Sequence, residues 1–232
     1  ILSGALVAVL ALGLLWLPDA LVRQAASVVP PAQQSEIGAR LLAEIRRVAG
    51  APCRTPRGDA ALAALHDRLI GTGARGSLRV LPDGVPDSAS LPGGTILLNR
   101  ELVEDHDNVE VVAGFILAED ARRRATPPIR RLMEDAGAFA ALRFLATGHI
   151  GDAALAAHAE ALLSAPENPV DTATLLNRFR AAGIASTPYA YALDISGETT
   201  LGLIEADPGR PVDAGPLLDD GAWVSLQGIC NE

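Results

Sequence analysis

Lysine is missing from this chain, and all 19 basic residues are arginine. With the wealth of alanine, that reads as a bias of coding composition and carries no functional weight. Aromatics are scarce, four Phe, two Tyr and two Trp in 232 residues, so the core must be packed mainly with Ala, Leu, Val and Ile. Positive charge is in deficit. The formal net charge of −9 argues against a nucleic-acid partner, since such binders carry a basic excess. Cysteine is limited to Cys53 and Cys230, which have no metal-ligand spacing. There is no internal repeat and no low-complexity tract. Gly71-Thr72-Gly73-Ala74-Arg75-Gly76 spells GxGxxG, but it follows a helical pattern and precedes an extended one. A dinucleotide site needs the opposite order, so this stretch reads as a turn.

The most apolar segment is at the start. Ile1 to Leu17 carries no charge and is closed by Pro18-Asp19. Its length approaches the ~20 residues that span a bilayer, and Trp16 suits an interfacial position. The expected organisation is a transmembrane anchor over 1–24, a linker over 25–34 around Val28-Val29-Pro30-Pro31, and a soluble domain over 35–232. A cleaved signal peptide is the competing reading. Cys53 and Cys230, at opposite ends of the soluble part, either pair as a disulfide or stay as two separate buried thiols. A disulfide, with an anchor, points to an oxidising compartment such as a bacterial periplasm, with the anchor in the inner membrane.

Apolar periodicity predicts helices over Ser35–Gly50, Thr55–Leu69, Asn108–Arg124, Ile129–Thr147, Asp152–Ser164, Asp171–Ala182 and Asp219–Ile229. Leu78–Leu81 and Thr95–Leu98 read as short strands, and a further strand pair is expected around Ser196-Gly197 and Leu201–Ile204. The fold class is therefore α+β, mostly helical with a small sheet. Each of the four histidines, His66, His106, His149 and His158, reads as solvated or packed rather than as a ligand. Arg122, Arg123, Arg124, Arg130 and Arg131 flank the Thr126-Pro127-Pro128 break. They are expected either to pair with Glu119, Asp120, Glu134 and Asp135, or to hold an anion or an acidic partner, or to contact lipid head groups near the anchor.

The stretch from Leu91 to Arg122 runs LPGGTILLNRELVEDHDNVEVVAGFILAEDAR: a Pro-Gly-Gly turn, a short apolar strand, a polar connection and an apolar helix. It resembles the HtpX-like and CAAX prenyl protease-type zinc metallopeptidases. Pro92, Gly93 and Gly94 match the turn, Thr95–Leu98 the edge strand, Val112-Ala113-Gly114 the helix entry and Glu119 the general base. In that family two histidines four apart bind zinc and the Glu between them polarises the attacking water. Here Ala118 and Arg122 stand in the two histidine positions. Asp171 matches the Asp of the later helix, and Pro169 falls on the third ligand position, with Glu167 a carboxylate nearby.

The resemblance implies a gluzincin-like fold without peptidase chemistry: no metal, no cofactor, and a catalytically degenerate, membrane-anchored binding domain. Its peptide site is expected at Gly93, Gly94, Thr95, Ile96, Leu97 and Leu98, where an extended segment would add to an edge strand. The expected partners are a protein and, through the N-terminal helix, the membrane. The domain would serve as an adaptor or accessory subunit of a membrane protein complex. Two alternatives stay open: an active metalloendopeptidase with unusual ligands, and a purely structural subunit held by its anchor helix.

Overall fold

The computed structural model describes residues 20–164 and 168–231 of the chain. Residues 20–27 are helical (α1) and a break at 28–30 follows. Then come α2 (Pro31–Ala49), α3 (Pro56–Leu69), β1 (Leu78–Leu81), β2 (Ser88–Ser90) and β3 (Ile96–Asn99). The second half is helical: α4 (Glu101–Glu104), α5 (Val109–Ala125), α6 (Pro128–Thr147), α7 (Asp152–Ser164), α8 (Thr172–Ala182), α9 (Thr187–Leu193), α10 (Leu201–Glu205) and α11 (Asp220–Gln227).

The three strands run in the order β1-β3-β2, with β1 parallel and β2 antiparallel to β3. Because side chains alternate along a strand, this small sheet can serve two cores. Ile96 and Leu98 point into one core with Leu78, Val80 and helices α3, α5, α8 and α9. Leu97 and Leu81 point into the other, with α2, α6 and α7. Helix α5 is buried from Glu110 to Ala121 on every side, as expected of a helix at the centre of a domain rather than on its surface. Gly114 lets α9 approach it closely, since a Cβ there would lie 2.5 Å from the Tyr189 Cβ. The Tyr189 ring stands edge-on to Phe115 at 5.0 Å. Cys53 and Cys230 form a disulfide with a Cα–Cα distance of 4.8 Å, beside the contact of α11 with α3.

Several expectations are corrected. The transmembrane helix expected over 1–24 is not found among the described residues, where no helix is long and apolar enough to cross a membrane. Residues 1–19 of that span lie outside the described residues, and within residues 20–29 Val22, Ala25 and Val29 are buried in the α2/α6/α7 core. The linker 25–34 is also not a linker. Pro31 sits in the first turn of α2, where its fixed φ and missing N–H suit a helix start. The strand expected at the edge, Thr95–Leu98, is the central one, because β2, which carries no β-branched or large apolar residue, covers its other side. The strand expected over Leu201–Ile204 is the short helix α10, and residues 196–197 lie in a turn.

Candidate functional site

Helix α5 delivers the charged groups. Asn108 caps its start, the side chain accepting from the Glu110 N–H at 2.8 Å, and the helix runs unbroken to its acidic and basic last turns. Glu119 is 1% exposed and Asp120 fully buried. A buried carboxylate has to be paired, and helical spacing supplies the partners. Arg122 Nη1 donates to Glu119 Oε2 at 2.8 Å, while Arg123 Nε and Arg124 Nε each reach Asp120 at 2.8 Å. Arg178 from α8 is a third donor to Asp120. Burial acts to raise the Asp120 pKa, but the guanidinium hydrogen bonds and charges of Arg124, Arg123 and Arg178 outweigh it and hold the carboxyl below its ordinary range.

Glu119 faces a cleft of about 300 Å³ lined also by Ser88, Arg122, Arg131, Asp135, His158 and Asn168. One wall is β2. Asn99 N–H donates to the Asp87 carbonyl and Leu91 N–H to the Thr95 carbonyl, so in the antiparallel ladder the backbone groups of Ser88 and Ser90 are directed away from β3. Arg131 Nη2 donates to Ser90 Oγ at 2.9 Å and lies 3.6 Å from Glu119 Oε1. Glu119 Oε1 and Arg131 Nε are buried without a hydrogen-bond partner. Such atoms in a natural structure call for an explanation. On the opposite wall His158 Nδ1 and Asp135 Oδ2 are 2.6 Å apart. Burial pushes the His158 pKa down, and Asp135 offsets that only in part.

Arg122 is the hinge of this arrangement. Besides holding Glu119, its Nε donates to the Asn168 carbonyl at 2.9 Å, so one guanidinium ties α5 to the segment that carries Pro169. The residues do not fit zinc. Ala118 and Pro169 offer no donor, Arg122 is a fixed cation, and among the described residues no three His, Cys, Asp or Glu side chains are placed to hold a metal. Glu167 lies outside the described residues. Ala118 is packed in the core.

The expected peptide site divides. Gly93 and Gly94 line a different pocket, on the Asp120 side of α5. Thr95 is half-buried, and Ile96, Leu97 and Leu98 are buried in strand β3, paired on both sides. Both glycines have positive φ, 86° and 98°, and Cβ atoms there would strike Ser35 Cα at 2.5 Å and the Arg75 carbonyl at 2.6 Å. The Pro-Gly-Gly turn is therefore needed for close packing against α2 and the 71–76 loop. The Glu119–Arg122 and Arg130–Glu134 pairs follow from helical spacing. Sequence reading missed the long-range partners, Arg178 for Asp120, His158 for Asp135 and Ser90 for Arg131, for which the local pattern holds no signal. Compared with known protein families the chain matches none, and compared with curated proteins it matches none.

Proposed function

We propose that this chain is a metallopeptidase-like binding domain which no longer cleaves, and which acts as a peptide- or protein-binding adaptor or accessory subunit. The observation that carries this reading is the Arg122 bridge. A side-chain cation links Glu119 to the 168–169 segment, where the resemblance would place a metal between the same two elements. The guanidinium performs a tying role and leaves nothing to lower the pKa of a water or polarise a scissile carbonyl.

The recognition surface is the cleft along β2, not β3. An extended backbone brings one N–H and one C=O per residue. Glu119 Oε1, which has an ion pair to Arg131 but no hydrogen bond, is the acceptor for such an N–H, and Arg131 is the donor to the carbonyl. The Cys53–Cys230 disulfide is compatible with an oxidising compartment, and the periplasm of a bacterium is the proposed location.

The test is made on the full chain. After zinc loading and dialysis, metal content is measured, and binding to a library of extended peptides is scored for wild type, Glu119→Gln and Arg131→Ala. The expected outcome is less than a tenth of a zinc per chain by metal analysis, an order-of-magnitude threshold for a site without donors. Peptide affinity should fall about tenfold in Arg131→Ala, the loss of one charge-assisted hydrogen bond. One zinc per chain with Glu119-dependent cleavage would instead establish an active peptidase. Peptide binding indifferent to both substitutions would remove the cleft from the proposal.

A further inference from the structure

The pocket on the far side of α5 has a different character. Of about 400 Å³, it is bounded by Arg75, Arg123 and Arg124, with Asp120 its only acidic residue. Three guanidinium groups against one carboxylate leave an excess of two positive charges, in a chain whose net charge is −9. The negative end of the α5 dipole offsets about half a charge, which leaves the sign unchanged.

The arginines play unequal parts. Arg123 is committed: it holds Asp120 through Nε and Nη2, and its Nη1 donates to the Gly94 carbonyl at 3.1 Å. Arg124 spends Nε on Asp120 and is 59% exposed, so both its terminal nitrogens remain available. Arg75 is exposed and makes no hydrogen bond or ion pair with any described residue.

Two glycine turns set Arg75 in place. A Cβ on Gly76 would lie 2.1 Å from the Gly94 carbonyl oxygen, so the 71–76 loop and the Pro-Gly-Gly turn meet backbone on backbone at the pocket. The GxGxxG run, reversed for a dinucleotide site, here presents an arginine. Ile70, Pro127 and Pro128 give the pocket an apolar margin.

We propose that this pocket binds a phosphate group, with Arg75 and Arg124 as the binding residues and Arg123 as the positioning residue that fixes the turn. The stoichiometry favours phosphate over carboxylate. One guanidinium fork satisfies a carboxylate, whereas a phosphate monoester brings three acceptor oxygens and a charge of about −1.5 to −2, matching the local excess. The same chemistry is offered by free phosphate and by a phosphomonoester lipid headgroup, that of phosphatidic acid. The proposal is independent of peptide binding in the cleft on the other side of α5.

The experiment titrates the full chain with inorganic phosphate at constant ionic strength, and separately measures co-sedimentation with phosphatidylcholine vesicles that contain phosphatidic acid against vesicles of phosphatidylcholine alone. Both are repeated with Arg75→Ser and with Arg75→Ser/Arg124→Ser. Arg75 is unpaired, so the single variant keeps the fold even if the double one does not. Phosphate binding that weakens about tenfold in the single variant and about a hundredfold in the double would support a soluble phosphate ligand; these are order-of-magnitude values for one and two lost charged hydrogen bonds. Vesicle binding that requires phosphatidic acid and falls likewise would support a headgroup. Binding of neither probe, or equal binding by wild type and the single variant, overturns the proposal.

Discussion

Asp120 and His158 are both buried, yet burial decides the ionisation of only one of them. At Asp120 the hydrogen bonds and charges of Arg124, Arg123 and Arg178 prevail, and the carboxyl titrates below its unfolded value of 3.8. A group whose folded pKa is depressed contributes stability that is present above its unfolded pKa and lost as pH falls through the folded one. Asp120→Asn should therefore cost about 3–5 kcal/mol in urea unfolding at neutral pH, since it leaves three guanidinium groups around a neutral side chain. That gap should shrink as pH drops below about 4. A pH-independent gap of under about 1 kcal/mol would show that the cluster is screened by solvent. At His158 desolvation prevails over Asp135 and the folded pKa lies below 6.5. The neutral ring is favoured on folding, so stability is full above about pH 6.5 and declines as pH falls. In His158→Gln the decline between pH 7 and 5 should be shallower than in wild type. An unchanged slope would assign it to other groups.

At the scale of elements, the contact of α5 with α9 is the most demanding. Gly114→Ala would gain roughly 1 kcal/mol of helix propensity. However, it would place a Cβ 2.5 Å from the Tyr189 Cβ, an atom next to the backbone that cannot swing aside. Overpacking typically costs about 1–3 kcal/mol, so the net effect should be a lower melting temperature; a rise would mean that α9 shifts freely. Helices were legible in the sequence because their signals are local. Asp152–Ser164 was readable to the residue, and the helices expected over 108–124 and 219–229 begin on Asn108 and Asp219, which the structure shows as the caps of α5 and α11. Strand order was not legible. Ser88-Ala89-Ser90 has no strand-forming residue and is buried because β3 and α5 enclose it. With β2 unseen, β3 looked like an edge. Leu201–Glu205 is too short for its period to separate helix from strand. The half of the candidate site made of i,i+3 and i,i+4 pairs could be read; the half joined across 23 to 58 residues could not.

At the scale of the molecule, one covalent link spans a sequence separation of 177 residues. The chain-entropy model gives such a closure about 5 kcal/mol, within the roughly 2–5 kcal/mol commonly lost when a native disulfide is removed. The Cys53→Ser/Cys230→Ser variant should unfold at a clearly lower urea concentration than wild type. Equal midpoints would mean that the α3–α11 contact alone secures the C-terminus.

The same link divides the fold in its response to force. Residues 53 to 230 form a closed ring, and α1 and α2, which cover one face of the sheet, lie outside it. Tension applied between the ends of the chain passes through the staple and bypasses everything between the two cysteines. Pulled in oxidising buffer, the protein should release only its outer helices, leaving roughly 600 Å of contour length hidden. After reduction that length becomes extensible, so thiols in the surroundings, rather than the packing of the core, decide how far this domain can be drawn out.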